Sequence, residues 1–159
     1  MKKSIIIIIS VVLVFLALFL YLFIQNRNMV AVLTYHSVLD SDENNSTNGM
    51  SIDTSRFEHQ MKLLKKLGYK SMSLKEFYCW KNKTCKLKGK HVLITFDDGY
   101  LDNYTHAAKI LKKYDMKAVI FVIGKTIEHK NGKYLDLETI EKMKKEYPNI
   151  EIASHTYNL

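Results

Sequence analysis

Proline is nearly absent from this 159-residue chain: Pro148 is the only one, and there are just six glycines, two cysteines and one tryptophan. So little proline, with 47% apolar residues, excludes collagen-like, mucin-like and wholly disordered chains. Two cysteines cannot build a knottin-like scaffold. No glycine-rich loop of the kind that cradles phosphate accompanies the acidic residues, which weighs against phosphoryl transfer. Lysine is abundant, with a formal net charge of +8, but Lys62, Lys65, Lys66, Lys112 and Lys113 lie along helical faces without a binding motif, so nucleic acid is not an expected partner. No internal repeat or low-complexity tract follows residue 25.

What is present first is a long hydrophobic run. From Ile5 to Ile24 only Ser10 is not apolar. Twenty helical residues span about 30 Å, the thickness of a bilayer's hydrocarbon core. Lys2 and Lys3 precede the run and only Arg27 follows closely, so the positive-inside rule keeps the N-terminus cytoplasmic and puts the rest outside. A cleaved signal peptide would have a shorter apolar region ending at a small-x-small site, and Phe23-Ile24-Gln25-Asn26-Arg27 offers none. The expected organisation is a cytoplasmic stub, membrane anchor (5–24) and linker over residues 1–28, then a single extracellular domain over 29–159. The part of the chain after the apolar run carries +6 once Lys2 and Lys3 are set aside, a charge suited to anionic wall polymers or lipid headgroups as well as to plain solvation. Cys79 and Cys85 stand six apart in a compartment that permits oxidation. A bridge there would contribute about 2 kcal/mol at most, and two free thiols remain an alternative.

Within the domain, apolar runs alternate with amphipathic segments. Met29–Tyr35, Val92–Phe96, Lys117–Ile123 and Ile150–Ala153 read as strands, with a further short strand at Tyr69–Ser71. Asp40–Gly49 reads as a loop. Ser55-x-x-Glu58 and Ser73-x-x-Glu76 have the form of capping boxes opening helices, Asp136 could cap another that must stop before Pro148, and Leu101–Tyr114 has helical spacing. Alternating strands and helices imply βαβ crossovers and a parallel α/β sheet, with chemistry at the carboxyl ends of its strands. The polar residues directly after the strands are His36, then Asp97 and Asp98, then Ser154, His155 and Thr156. The remaining histidines, His59, His91, His106 and His129, lie in charged contexts. Asp102 and His106, four apart, read as an exposed pair.

Adjacent carboxylates repel unless a cation or proton lies between them, and successive strand residues point opposite ways. One carboxylate binding a divalent metal while the other serves as general base is the natural division, with histidine supplying a ligand suited to zinc. Each piece alone is a common structural feature.

Together they resemble a known family. Thr95-Phe96-Asp97-Asp98-Gly99-Tyr100 is similar to the first motif of the polysaccharide deacetylases (NodB homology, carbohydrate esterase family 4), and Ser154-His155-Thr156 to the start of the second. LTYHSV at Leu33–Val38, the FEHQM…LKKLGY helix and KAVIFVIG resemble the branch acting on poly-N-acetylglucosamine adhesins. The resemblance implies a distorted (β/α) barrel and a divalent metal, zinc in many members. It also implies hydrolysis of N-acetyl groups on an extracellular glycan containing N-acetylglucosamine. It assigns Asp97 as general base and Asp98 and His155 as metal ligands, with His36, Gly99 and Tyr100 beside the ion or the glycan. The common second motif has a histidine where this chain has Leu159, and in the adhesin branch that histidine falls one position later. Later family motifs are absent, and about five strands cannot close a barrel. The expectation is therefore the front part of such an enzyme, inactive or nearly so alone. The alternative is an anchored, non-catalytic glycan-binding or assembly module.

Overall fold

The computed structural model describes residues 2–26, 29–40, 49–128 and 132–158. Most of the expected loop at 40–49, together with His129 and Leu159, lies outside the described residues. In chain order the elements are α1 (Lys2–Asn26), β1 (Ala31–Tyr35), β2 (Ser37–Leu39), β3 (Ser51–Asp53), α2 (Thr54–Lys66), β4 (Tyr69–Ser71) and α3 (Leu74–Lys81). They continue with β5 (Lys90–Phe96), a π-helical turn (Asn103–Ala107), α4 (Ala108–Lys113), β6 (Ala118–Val122), α5 (Gly124–Ile127), α6 (Leu137–Glu146) and β7 (Ile150–Ser154).

The apolar run forms α1, a helix long and apolar enough to cross a membrane, and its spanning window has no side chain buried against the domain. Five strands make one sheet in the order β1-β5-β6-β7, with β4 also on β5, and every pairing is parallel. Val92 pairs with both Ala31 and Ser71, so β1 holds one edge of β5. The other edge is shared between β4 at its start and β6 at its end. Among the described residues the sheet is open, with β1 and β7 as its outer strands. A second, two-stranded parallel pair joins β2 to β3 through Ser37–Leu39 and Ser51–Asp53.

A strand covered on both faces is nearly all apolar, and Val92 through Phe96 of β5 are all buried, the one polar residue, Thr95, bonding its hydroxyl to Thr34 Oγ1 at 3.0 Å. Val92, Ile94 and Phe96 enter the main core beneath α2, α4 and α6, beside Ala118, Ile120 and Val122. Leu93 and Val119 point to the opposite face, into a smaller cluster with Met72 that Phe77, Trp80 and Leu87 cover. Phe57 of α2 is fully buried and meets Tyr35 and Phe96 at ring-centroid distances of 5.1 and 5.7 Å.

The helix starts follow the capping rules with one displacement. Ser73 and Glu76 form both halves of a capping box at α3, and Asp136 accepts from Thr139 N at 2.8 Å to open α6. At α2 the cap is Asp53 rather than Ser55: its carboxylate accepts from Ser55 N at 2.8 Å and Arg56 N at 3.4 Å. Glu58, the expected second half of that box, instead bonds Tyr114 and pairs with Lys113. A carboxylate caps as well as a hydroxyl, so the helix begins where the first good acceptor stands.

The expected helix after β5 is also different. Its first turn is π-helical, and Asp102, expected exposed, is buried. One carboxylate oxygen of Asp102 accepts from the Ser37 hydroxyl at 2.6 Å, and the other from Val38 N at 2.9 Å and Asn103 Nδ2 at 3.0 Å. Fully buried Asn103 also donates to the His36 carbonyl at 2.7 Å. The wider turn brings two successive polar side chains onto the corner between β1 and β2.

Phe57→Ala is expected to cost about 3–5 kcal/mol, read as the shift in urea unfolding of the detergent-solubilised chain; a loss below about 1 kcal/mol would contradict the packing of α2 on Phe96. Burial, opposed by the Ser37 and Val38 bonds, raises the Asp102 pKa from its ordinary 3.8. A carboxyl whose folded pKa is raised stabilises the fold below the ordinary value and loses that contribution as pH rises through the raised one. The stability of the wild-type chain relative to Asp102→Asn should therefore decline as pH rises from about 4 toward neutrality. Asp102→Ala should cost about 1–3 kcal/mol at neutral pH, because Val38 N–H and the Ser37 hydroxyl lose their acceptor. A pH-independent difference between wild type and Asp102→Asn would contradict this account.

Candidate functional site

In a parallel sheet all carboxyl ends reach one rim, and here that rim carries His36 after β1, Asp97 and Asp98 after β5, and His155 after β7. Asp97 N donates to the Tyr35 carbonyl at 2.9 Å, which carries the β1–β5 ladder one step past the strand and fixes where Asp97 begins. The backbone then turns through two left-handed residues, Asp98 at φ 71° and Gly99 at φ 70°. Aspartate is among the few side-chain-bearing residues that adopt this conformation readily. Glycine is required at 99 for a second reason: a Cβ there would lie 2.7 Å from Val122 Cγ1. The turn is thus pressed onto the end of β6.

Val122 is held from its other side as well, since its carbonyl accepts from His155 N at 2.9 Å. Gly124 N to the Thr156 carbonyl and Lys125 N to the Tyr157 carbonyl, each 2.8 Å, continue that pairing beyond β7. The Asp98–Gly99 turn and His155 therefore flank one residue. Asp97 and Asp98 are half-buried and His155 is exposed.

Tyr100 closes the turn. It forms an antiparallel bridge with Tyr134, reinforced by Leu135 N to the Gly99 carbonyl at 2.8 Å and Leu101 N to the Lys133 carbonyl at 2.9 Å. The two rings lie 5.0 Å apart, with Lys133 Nζ over both. Burial, then the neighbouring Tyr134, then the charges of Asp98 and Asp102 push the Tyr100 hydroxyl up to about 12, so it remains a hydrogen-bond donor at neutral pH. His36 is half-buried, and the Asn103 bond to its carbonyl and the Asp102 bonds to Ser37 and Val38 hold its backbone. A cleft of about 460 Å³ opens beside the rim between Ser37, Met50, Tyr100, Asp102, His106 and Lys133. Asp97, Asp98 and His155 are outside it. His106, expected as a partner of Asp102 on an exposed face, lies 3.8 Å from Asp40 and 2.8 Å from Thr105 Oγ1.

The Asp98 carboxylate and the His155 imidazole are donors of the types a zinc-like ion takes. Among the described residues no group of three His, Cys, Asp or Glu side chains stands close enough together to hold an ion. Cys79 and Cys85, joined by a disulfide with Cα atoms 5.4 Å apart, stand apart from this rim, beside the start of β5.

Asp102 and Asn103 are the site residues that the sequence reading missed. The usable signal was spacing: Asn103, Ala107 and Leu111 recur every four residues, and all three are fully buried. A polar residue at the head of an apolar stripe is one that the fold intends to satisfy internally.

Comparison with known proteins bears on the family and the fold. The family model described as polysaccharide deacetylase matches residues 84–159. The Bacillus subtilis (strain 168) protein YxkH is 42% identical over 125 residues, covering 79% of this chain and 41% of that protein. A Staphylococcus aureus (strain N315) poly-β-1,6-N-acetyl-D-glucosamine N-deacetylase is 32% identical over 145 residues, covering 84% of this chain and 50% of that protein. Among solved structures, the Streptococcus pyogenes deacetylase PplD in complex with acetate superposes with a TM-score of 0.71 at 30% identity, over 81% of this chain and 57% of that one. The chain spans about half the length of the curated relatives it matches. With the TFDDGY turn and the SHT strand end both inside the matched residues 84–159, and with the shared parallel α/β sheet, the chain carries part of a polysaccharide deacetylase domain.

Proposed function

We propose that this chain is the membrane-anchored, glycan-facing part of a metal-dependent hydrolase that removes N-acetyl groups from an extracellular N-acetylglucosamine polymer. The observation that supports the reading is the packing of Gly99 against Val122 and the bond from His155 N to the Val122 carbonyl, so that the turn after β5 and the end of β7 both meet the end of β6 between them. The name of the staphylococcal relative supports the substrate class, and the acetate bound to the streptococcal deacetylase is the acid that amide hydrolysis would release.

In this reading Asp98 and His155 hold a divalent ion, zinc by the chemistry of its donors, and the rest of the ligand set comes from outside the described residues. When bound, such an ion supplies Lewis-acid polarisation of the acetamide carbonyl and activation of water. Asp97 takes the proton of the attacking water at its carboxylate. It cannot share Asp98's task, because the ladder bond holds Asp97 in line with β5 while Asp98 has already turned into the left-handed region. Tyr100 donates its retained proton to the glycan or acetyl oxygen, Gly99 leaves the backbone room at the turn, and His36 lines the β1 side of the rim. The domain comprises residues 29–159, with α1 anchoring it, the N-terminus cytoplasmic and the rim outside, toward the cell wall. The lysines at positions 2 and 3 and the all-round apolar surface of α1 support that topology.

In an enzyme joining this segment to the remainder of the domain carried by its relatives, Asp98→Ala should abolish stoichiometric zinc binding. Asp97→Ala should leave zinc bound and lower kcat by a factor on the order of 10²–10⁴. Metal content by atomic emission and acetate release from an N-acetylglucosamine oligomer check both. Equal metal loss in the two variants would overturn the division of roles.

A further inference from the structure

The end of the sheet opposite the rim carries a feature that deacetylation does not use. Between Trp80 and His91 the chain has five lysines, at 81, 83, 86, 88 and 90, and no carboxylate. Lys81, Lys83, Lys86 and Lys88 are exposed, and none of the ion pairs among the described residues involves them. They surround a cleft of about 760 Å³ whose apolar floor is Met29, Val30, Trp80 and Leu87. The Cys79–Cys85 disulfide closes the loop that bears Lys81 and Lys83, and Thr84 N to the Cys79 carbonyl at 3.0 Å braces it from within.

Met29 lies three residues after Asn26, the last residue of α1. Three residues reach about 10 Å at full extension. If α1 spans a membrane, this cleft lies within about 10 Å of chain from the point where the helix leaves it. We propose that the base of the domain is a docking surface for anionic phospholipid headgroups of that same bilayer, with lysines on the phosphates and Trp80 at the headgroup level. The inference rests on the anchored reading above. A soluble phosphate polymer would use the lysines but has no use for an apolar floor. Tryptophan and a lysine ring together match the interface between headgroup and acyl chain.

Trp80 is the only tryptophan, so its fluorescence reports this cleft alone. The full chain is reconstituted in nanodiscs of brominated phosphatidylcholine, with and without phosphatidylglycerol. Quenching of Trp80 should be roughly twofold stronger in the anionic discs and should fall to the zwitterionic level in roughly 0.5 M salt, where screening is short-ranged. The triple variant Lys83→Glu, Lys86→Glu, Lys88→Glu should lose the anionic preference while keeping its far-ultraviolet circular dichroism. The salt arm tests the same contact without any substitution. Equal quenching in both disc types, no quenching in either, or an anionic preference that survives both salt and the triple variant would overturn the inference while leaving the anchor intact. A chain that does not remain with the discs would overturn the anchored reading and this inference with it.

Discussion

The close approach of Gly99 to Val122 is the contact on which the candidate site depends. The chain leaving β5 must turn at once to cross the end of β6, and it does so through two residues at positive φ. Aspartate tolerates that conformation and glycine prefers it, but only glycine also fits against the valine side chain. Moving the turn outward by one methyl group would lift Asp98 from the strand end where His155 arrives. Glycine after the two aspartates is therefore a steric requirement of the turn. The two carboxylates are separated in direction by the same backbone twist that lets the glycine pack.

A parallel sheet also gives the domain two unlike ends. Carboxylates and imidazoles collect where the strands finish, at Asp97, Asp98, Asp102 and His155, while lysines collect where β5 begins. At about 3.3 Å per residue, the seven residues of β5 separate these ends by about 23 Å. The chain enters the domain at the basic end, because β1 begins there directly after α1. That the candidate span and the candidate site lie toward opposite ends of the sheet is thus a consequence of strand direction alone. The disulfide belongs to the basic end, where so short a loop contributes only about 2 kcal/mol to stability, so its larger effect is to limit where the loop's lysines can go.

Much of this was legible in the residues. The runs VLITF and KAVIFVI announce buried strands because all but one residue of each is apolar, and reading the polar residues directly after the strands put His36, Asp97, Asp98 and His155 on one rim, where the structure has them. Ser73 and Glu76 could be read as a cap because both halves of the box are local. The β2–β3 pair could not, since two three-residue strands joined across a dozen positions leave no periodic trace. Asp53 displaced Ser55 as the cap of α2 because Glu58 is drawn away by Lys113 and Tyr114, more than fifty residues later in the chain. The π-helical turn was equally hidden, because tertiary pull on Asp102 and Asn103 rather than local preference widens it.

Asp102 carries the least obvious chemistry of the rim. An asparagine could satisfy nearly the same partners, accepting from Val38 N and Asn103 through its oxygen while the Ser37 hydroxyl rotated to accept from its amide. What aspartate adds is charge, in a place where burial raises the cost of charge. That charge reaches two groups lining the adjoining cleft. It is the smallest of the influences that raise the Tyr100 hydroxyl, after burial, Tyr134 and Asp98, and the charge of His106 acts in the other direction, lowering the Asp102 pKa. A buried carboxylate that only braced a corner would be a poor choice for the corner. One that also adds to the field over the Tyr100 hydroxyl, at the edge of the adjoining cleft, has a second use there.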